Sequence, residues 1–205
     1  MNDKAPRQLQ RMHGNEPIVG TTLTLVNFWQ WLASNLLGTV NRSALAEFLV
    51  ASDLDLSGEI RREWKSCDLT TKSGIRIEVK SAAYLQDWTK DGLSKIVFRI
   101  AKTRRWDPDI GGPMSTEASR NADVYVFCIL NNQDGATNPL DTSKWEFYVL
   151  PTATLDAELG NQKTLELGGL KRLNPIQAKF GEIQKAVAAI EQAKSNIAVS
   201  GADKS

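Results

Sequence analysis

The chain of 205 residues carries 25 basic and 24 acidic side chains, so its formal net charge is only +1. That balance excludes a protein that binds nucleic acid through bulk charge, although it allows a local basic patch. Apolar residues make up 41% of the chain. This fraction is typical of a folded domain with a hydrophobic core.

Membrane insertion and secretion are not expected. The longest uninterrupted apolar run, residues 124–130, is far shorter than the roughly 20 residues of a membrane-spanning helix. The first 20 residues lack the apolar block of a secretory signal. The two cysteines, Cys67 and Cys128, are too few for a disulfide framework. We therefore expect a cytoplasmic protein.

The N-terminal part is predicted to be a polar tail followed by two helices. Residues 1–20 lack hydrophobic periodicity and are expected to form a flexible tail. Helices are predicted over residues 21–38 and 41–55, with threonine and asparagine or serine residues available as caps. The first helix carries an aromatic cluster that we expect to be partly buried, formed by Phe28, Trp29 and Trp31.

Beyond Gly58 the pattern changes to the period of two that is typical of strands. Paired strands are predicted over residues 60–69 and 74–81, with a turn at 70–73. Further strands are predicted over residues 95–100, 123–130 and 145–150.

The C-terminal part is predicted to close the fold with a long helix that begins near Pro175. Apolar residues recur at helical spacing from there to residue 190, and proline suits the first turn of a helix. Residues 196–205 are polar and are expected to fray. The order of elements predicts an α/β fold, a mixed β-sheet core flanked by helices, in a single domain over residues 21–195.

The strand at residues 74–80 carries the candidate chemistry. Its apolar and charged side chains alternate, so that Arg76, Glu78 and Lys80 share one face. A half-exposed strand with a solvated polar face has the same pattern, and that alternative stays open.

Two further acids lie upstream of this strand. Asp68 lies on the preceding predicted strand, and Glu47 is the only charged residue in the helical segment 44–51. A carboxylate among apolar neighbours needs a partner, and a cation is suitable. The alternative for Glu47 is a helical position that faces solvent.

This ordered set resembles the PD-(D/E)XK nuclease superfamily, which has the restriction-endonuclease-like fold. The similarity covers about residues 41–130. Glu78, Val79 and Lys80 match the (D/E)-x-K triplet, Asp68 matches the preceding acid, and Glu47 matches an acid often found on the first core helix. The position before Asp68 is a cysteine where the family's motif has proline.

The resemblance implies a divalent-metal-dependent phosphodiester hydrolase. Asp68 and Glu78 would bind Mg²⁺ or Mn²⁺ through carboxylate oxygens, which suit hard cations, and the family implies a further ligand in the backbone carbonyl of Val79. Glu47 would bind metal-bound water or a second ion. Lys80 would orient the attacking water or stabilise negative charge in the transition state.

A metal site also requires a particular pairing register. A two-residue turn at 72–73 would direct Asp68 to the apolar face, opposite Ile77, whereas a three-residue turn at 71–73 would bring it to the face of Glu78. We expect the odd-numbered turn, or a bulge with the same effect.

Candidate substrate contacts follow the strand. Ser81 and Gln86 lie just after Lys80, and residues 99–107 combine four cations with Trp106. Cations beside an aromatic ring suit phosphate contact and base stacking, although a solvated basic loop has the same composition. The four cations are Arg99, Lys102, Arg104 and Arg105.

Three functional hypotheses remain open at this point. The first is a Mg²⁺-dependent endonuclease that acts on DNA, with RNA as another possible substrate, in restriction, defence or repair. The second is a non-catalytic nucleic-acid-binding module that keeps the fold. The third is a protein-interaction domain whose charges at residues 78–80 are solvated. The apolar stripe after residue 175 is either core packing or a homodimer contact.

Overall fold

The computed structural model describes residues 9–63, 65–88, 91–104, 106–107, 112–113, 115–134 and 137–202. Its helices are α1 (Leu25–Ala33), α2 (Thr39–Asp53), α3 (Thr152–Leu159), α4 (Leu167–Arg172) and α5 (Ile183–Ala202), with a 3-10 turn at Thr142–Lys144. Its strands are β1 (Leu69–Thr70), β2 (Arg76–Ala83), β3 (Val97–Arg99), β4 (Trp106–Asp107), β5 (Gly112–Pro113), β6 (Val124–Leu130), β7 (Trp145–Pro151), β8 (Thr164–Glu166) and β9 (Ile176–Ala178).

A five-stranded mixed sheet with the order β1-β2-β6-β7-β9 forms the centre of the protein. Only β2 and β6 are parallel, and the other neighbouring pairs are antiparallel. All seven residues of β6 are buried, as its continuous apolar sequence predicts for a strand covered on both faces. The predicted class, a mixed α/β fold with a sheet flanked by helices, is confirmed.

Two hydrophobic cores cover the two faces of this sheet. On one face, α2 and α5 pack against alternate residues of β2, β6 and β7, with Val50 and Val126 fully buried. On the other face, β3, β8, α3 and α4 pack against the intervening residues, with Phe98 edge-on to Phe127 at 4.9 Å between ring centroids. β3 and β8 pair only with each other, as a separate two-stranded sheet.

The long helix predicted near Pro175 begins later than expected. Residues 176–178 form β9 on the edge of the sheet, and α5 starts at Ile183. Gly181 has a φ of +94°, a left-handed conformation that interrupts a helix. The Asp53 carboxylate accepts hydrogen bonds from the amides of Ile183 and Gln184 and so caps α5 from the end of α2.

One further prediction needs correction. The strand expected at residues 60–69 is reduced to Leu69–Thr70, and the preceding segment is irregular. In the aromatic cluster of α1, Phe28 and Trp29 are partly buried, at 43% and 40% exposed, whereas Trp31 is 82% exposed. Within the described part of the chain, no helix is long and apolar enough to cross a membrane.

Arg120 joins the elements that cover the second face of the sheet, the face against which β3, β8, α3 and α4 pack. Its side chain is fully buried. Its Nε donates to the carbonyl of Ile100 at 2.9 Å, and Nη1 donates to the Asp156 carboxylate and to the Gly160 carbonyl. Nη2 donates to the carbonyl of Gln162 at 3.2 Å. One guanidinium therefore joins the end of β3 to α3 and the turn that follows it.

We predict that Arg120→Met lowers the free energy of unfolding by about 3 kcal/mol, because buried carbonyls lose charged donors that methionine cannot replace. Urea denaturation measures this change. Arg172→Met is the matched control, since Arg172 is exposed and such substitutions change stability by less than about 0.5 kcal/mol. Equal effects of the two substitutions would contradict the structural role of Arg120.

Candidate metal and phosphate site

Asp68 lies at the start of the β1–β2 hairpin, on the same side of the sheet as Glu78. Leu69 pairs with Ile77 and Thr70 with Arg76, and the turn between the strands consists of residues 72–74. The turn has three residues, as a metal site requires, but it lies one residue later than expected. The Asp68 amide also donates to the Ile77 carbonyl at 3.1 Å. Asp68 and Leu69 therefore both face Ile77, which is the hydrogen-bonding pattern of a β-bulge.

The Asp68 carboxylate is held against the edge of β2. One oxygen accepts a hydrogen bond from the Val79 amide at 2.7 Å. Because the N–H and C=O of a strand residue leave the same edge of the strand, the Val79 carbonyl points toward the same side. Asp68 is half-buried and lines a groove together with Glu78 and Lys80. Its side chain is therefore not directed into the core beside Ile77.

Glu78 and Lys80 share this groove because they are two residues apart on β2. The Lys80 Nζ lies 2.5 Å from Glu78 Oε1, in a half-buried ion pair. Burial raises the pKa of Glu78, and repulsion from the Asp68 carboxylate raises it further. Burial also raises the pKa of Asp68, against the hydrogen bond from Val79 and the attraction of Lys80. Two close carboxylates thus share one partly desolvated site.

Basic side chains line the walls of this groove, which has a volume of about 420 Å³. Arg99 comes from β3 and Arg104 from the segment after it, and both are exposed. Lys65, in the irregular segment before β1, also lines the cavity and is exposed. We call the cavity lined by Lys65, Asp68, Glu78, Lys80, Arg99 and Arg104 the central groove.

Of the other two basic candidates, the structure describes only one. Lys102, which is half-buried, is not among the residues that line the central groove. Arg105 lies outside the described residues.

Ser81 and Gln86 contact a buried arginine. Arg42 on α2 is only 2% exposed. Its guanidinium donates to Ser81 Oγ at 3.3 Å, to Gln86 Oε1 at 2.5 Å and to the Leu37 carbonyl at 3.0 Å. The Gln86 amide nitrogen in turn donates to the Ala83 carbonyl. These contacts join α2 to the end of β2 and give both predicted substrate residues a structural partner.

Glu47 is buried on α2 and has a cation as its partner, as the sequence suggested, but the cation belongs to the protein. Its Oε2 accepts from Arg61 Nε at 2.8 Å. Burial raises the pKa of Glu47, and the hydrogen bond from Arg61 opposes that rise. Glu47 and Arg61 line a cavity of about 150 Å³, and Asp68 and Lys65 line both this cavity and the central groove.

Three residues near the site were not predicted from the sequence. Lys65, Arg61 and Arg42 each contact or face the predicted site residues. The segment 61–65 holds three cations just before Asp68, and that local excess is a signal that points to Arg61 and Lys65. Arg42 leaves no such signal, because its role depends on a contact with Gln86, 44 residues away.

The chemistry of the central groove suits a small divalent cation. Among the described residues, no group of three or more His, Cys, Asp or Glu side chains is arranged to hold a metal ion. Mg²⁺, however, is usually bound through only one or two carboxylates and keeps several waters. Asp68 and Glu78 offer two hard oxygen donors whose mutual repulsion a cation would relieve. The residues therefore fit such an ion.

Comparisons of the chain with family models, curated proteins and solved structures gave no match. The functional interpretation therefore depends on the residues of the site itself.

The raised pKa of Asp68 leads to a pH dependence of stability. A carboxyl group whose pKa is raised by folding stabilises the folded state fully below its unfolded pKa, and that stability is lost as the pH rises through the folded pKa. Without divalent metal, we expect Asp68→Asn to gain stability relative to the parent as the pH rises from about 4 to 8, since the amide oxygen still accepts from Val79.

Denaturant titrations across this pH range measure the difference. Asp141→Asn is the control, because the hydrogen bonds of Ser143 lower the pKa of Asp141. Its stability relative to the parent should change only below a pH of about 4 and stay constant across this range. A difference between parent and Asp68→Asn that does not vary with pH would show that the Asp68 carboxylate is not destabilised by folding.

Proposed function

We propose that this protein is a divalent-metal-dependent nuclease, a phosphodiester hydrolase that acts on DNA, with a restriction-endonuclease-like core. The proposal depends on one observation: Asp68, Glu78 and Lys80 line the same central groove as several basic side chains. Acids that hold a cation and bases that hold phosphate are the two requirements of phosphodiester cleavage.

Each residue of the groove has a distinct role in this proposal. Asp68, Glu78 and the Val79 carbonyl hold Mg²⁺ or Mn²⁺. The bound cation supplies Lewis-acid polarisation of the phosphate and lowers the pKa of bound water. The Lys80 ammonium stabilises the negative charge that develops on the phosphate oxygens.

The walls of the groove orient the substrate. Arg99, Arg104 and Lys65, which all line the groove, neutralise phosphates of the nucleic-acid backbone. This local positive charge is compatible with a net charge of +1 for the whole chain. Bulk attraction is then weak, and most of the affinity depends on contacts within the groove.

One observation favours the second candidate, a non-catalytic nucleic-acid-binding module. Glu78 is paired with Lys80 and Glu47 with Arg61. Two of the three acids thus have internal counter-ions without any metal. A protein that only binds nucleic acid would keep these pairs and the basic walls, and would show no cleavage.

We predict that Asp68→Asn and Glu78→Gln each reduce cleavage by orders of magnitude, because a single remaining carboxylate binds the cation too weakly to act. Lys80→Ala is expected to reduce cleavage as strongly and to leave Mn²⁺ affinity nearly unchanged. The assay uses supercoiled plasmid, single-stranded DNA and RNA, with Mg²⁺ or Mn²⁺ and with chelator.

Glu158→Gln is the matched control, since it removes an exposed carboxylate on α3 that does not line the groove. Its activity is expected to equal that of the parent. A parent that binds DNA and leaves all three substrates intact in both metals supports the binding module and contradicts the nuclease.

A second prediction concerns the basic wall. Arg99→Ala combined with Arg104→Ala should weaken DNA binding and reduce the salt dependence of log K by about one to two units, since each lost phosphate contact removes about 0.9 unit. Lys102→Ala, the neighbour outside the groove wall, should change the slope much less. Fluorescence anisotropy at several salt concentrations measures the slopes, and equal slopes for all variants would contradict phosphate binding by this wall.

A further inference from the structure

Helix α1 leaves much of its apolar surface exposed to solvent. None of its nine residues is buried. Trp31 is 82% exposed, and Phe28 stacks on it with 6.3 Å between the ring centroids. We call the exposed set the α1 surface, which consists of Leu23, Val26, Phe28, Trp29, Trp31 and Leu32.

This surface is held in shape by local contacts. The amides of Leu25 and Val26 donate to the carbonyls of Glu16 and Gly14. Asn41 donates to the Leu32 carbonyl at 3.1 Å and so fixes the C-terminal end of α1 to α2. The aromatic rings are therefore displayed on an anchored element.

A helix of this length needs a hydrophobic partner. Isolated helices shorter than about 12–15 residues are marginal in water, and packing of an apolar face supplies most helix stability in proteins. α1 has nine residues and buries none of them within its own chain. Large exposed apolar surfaces usually mark an interaction site.

The exposed area approaches that of one side of a protein interface. From their exposed fractions, the six side chains of the α1 surface present roughly 600 Å², against about 800 Å² per partner in a standard interface. Val19 and Val40, which precede and follow α1 in the chain, are also exposed, at 93% and 81%.

The absence of charge identifies the kind of partner. Residues 17–41 contain no Asp, Glu, Lys, Arg or His. A nucleic-acid partner requires cations, and helices that lie on membranes usually carry Lys or Arg on their polar face. A second copy of the same surface meets it without like-charge repulsion, since a two-fold interface contacts itself.

We propose that the α1 surface is a homodimer interface, occupied by the α1 surface of a second copy of this chain. The proposal is independent of the nuclease activity, because the α1 surface and the central groove share no residue. It explains why an uncharged aromatic helix is kept exposed in the single chain.

Sedimentation equilibrium of the full chain tests the proposal. The parent is expected at twice the chain mass of 22.7 kDa. The double substitution Phe28→Glu with Trp31→Glu should give monomers, because it places like charges on both sides of the interface. Leu140→Glu is the matched control, since Leu140 is an exposed apolar residue in a distant segment of the chain. The Leu140→Glu variant should remain dimeric.

A charge-complementation experiment excludes misfolding as the cause. A mixture of the Glu double variant with the Phe28→Lys and Trp31→Lys double variant should form a heterodimer, while each alone stays monomeric. A parent that is monomeric up to about 100 μM overturns the proposal, as does a dimer that survives both double substitutions. If a monomeric parent binds phosphatidylcholine vesicles and the Glu variant does not, the occupant is a lipid surface and the dimer is excluded.

Discussion

The candidate site depends on the pairing of two short strand segments in the correct register. The turn at residues 72–74 has three residues, and Gly74 adopts a φ of +90° that a residue with a side chain rarely takes. The Thr71 hydroxyl accepts from the Ile75 amide and closes the turn. A shift of one residue would move Asp68 to the opposite face of the sheet. The turn and the bulge at Asp68 together therefore determine whether Asp68 and Glu78 meet.

Two basic side chains of the central groove, Arg99 and Arg104, come from β3 and the segment after it and lie beside Asp68 and Glu78. β3 is not part of the central sheet, but Phe98 is buried against it, and the neighbouring Arg99 consequently lies at the groove. Arg120 ties the end of β3 to α3. The charges that line the groove thus come from β2, which packs into one hydrophobic core through Ile77, and from β3, which packs into the other through Phe98.

Much of the fold could be predicted, because its signals are local. The continuous apolar sequence of β6 and the alternation in β2 identify the central strands and the face shared by Glu78 and Lys80. The late start of α5 could not be predicted, since it depends on the φ of Gly181 and on a cap from Asp53, about 130 residues away. The pairing of Glu47 with Arg61 likewise depends on the path of an irregular segment, which periodicity does not encode.

The proposal that Asp68 and Glu78 bind a divalent cation can be tested by a crystal structure determined with Mn²⁺, using its anomalous scattering. One anomalous peak is expected within coordination distance of a carboxylate oxygen of Asp68 and of Glu78, with Lys80 no longer bound to Glu78 at 2.5 Å. The peak should be lost in Asp68→Asn crystals grown in the same way. Mn²⁺-treated crystals without a peak in the central groove, in which the Lys80–Glu78 ion pair is intact, would contradict a metal site at Asp68 and Glu78.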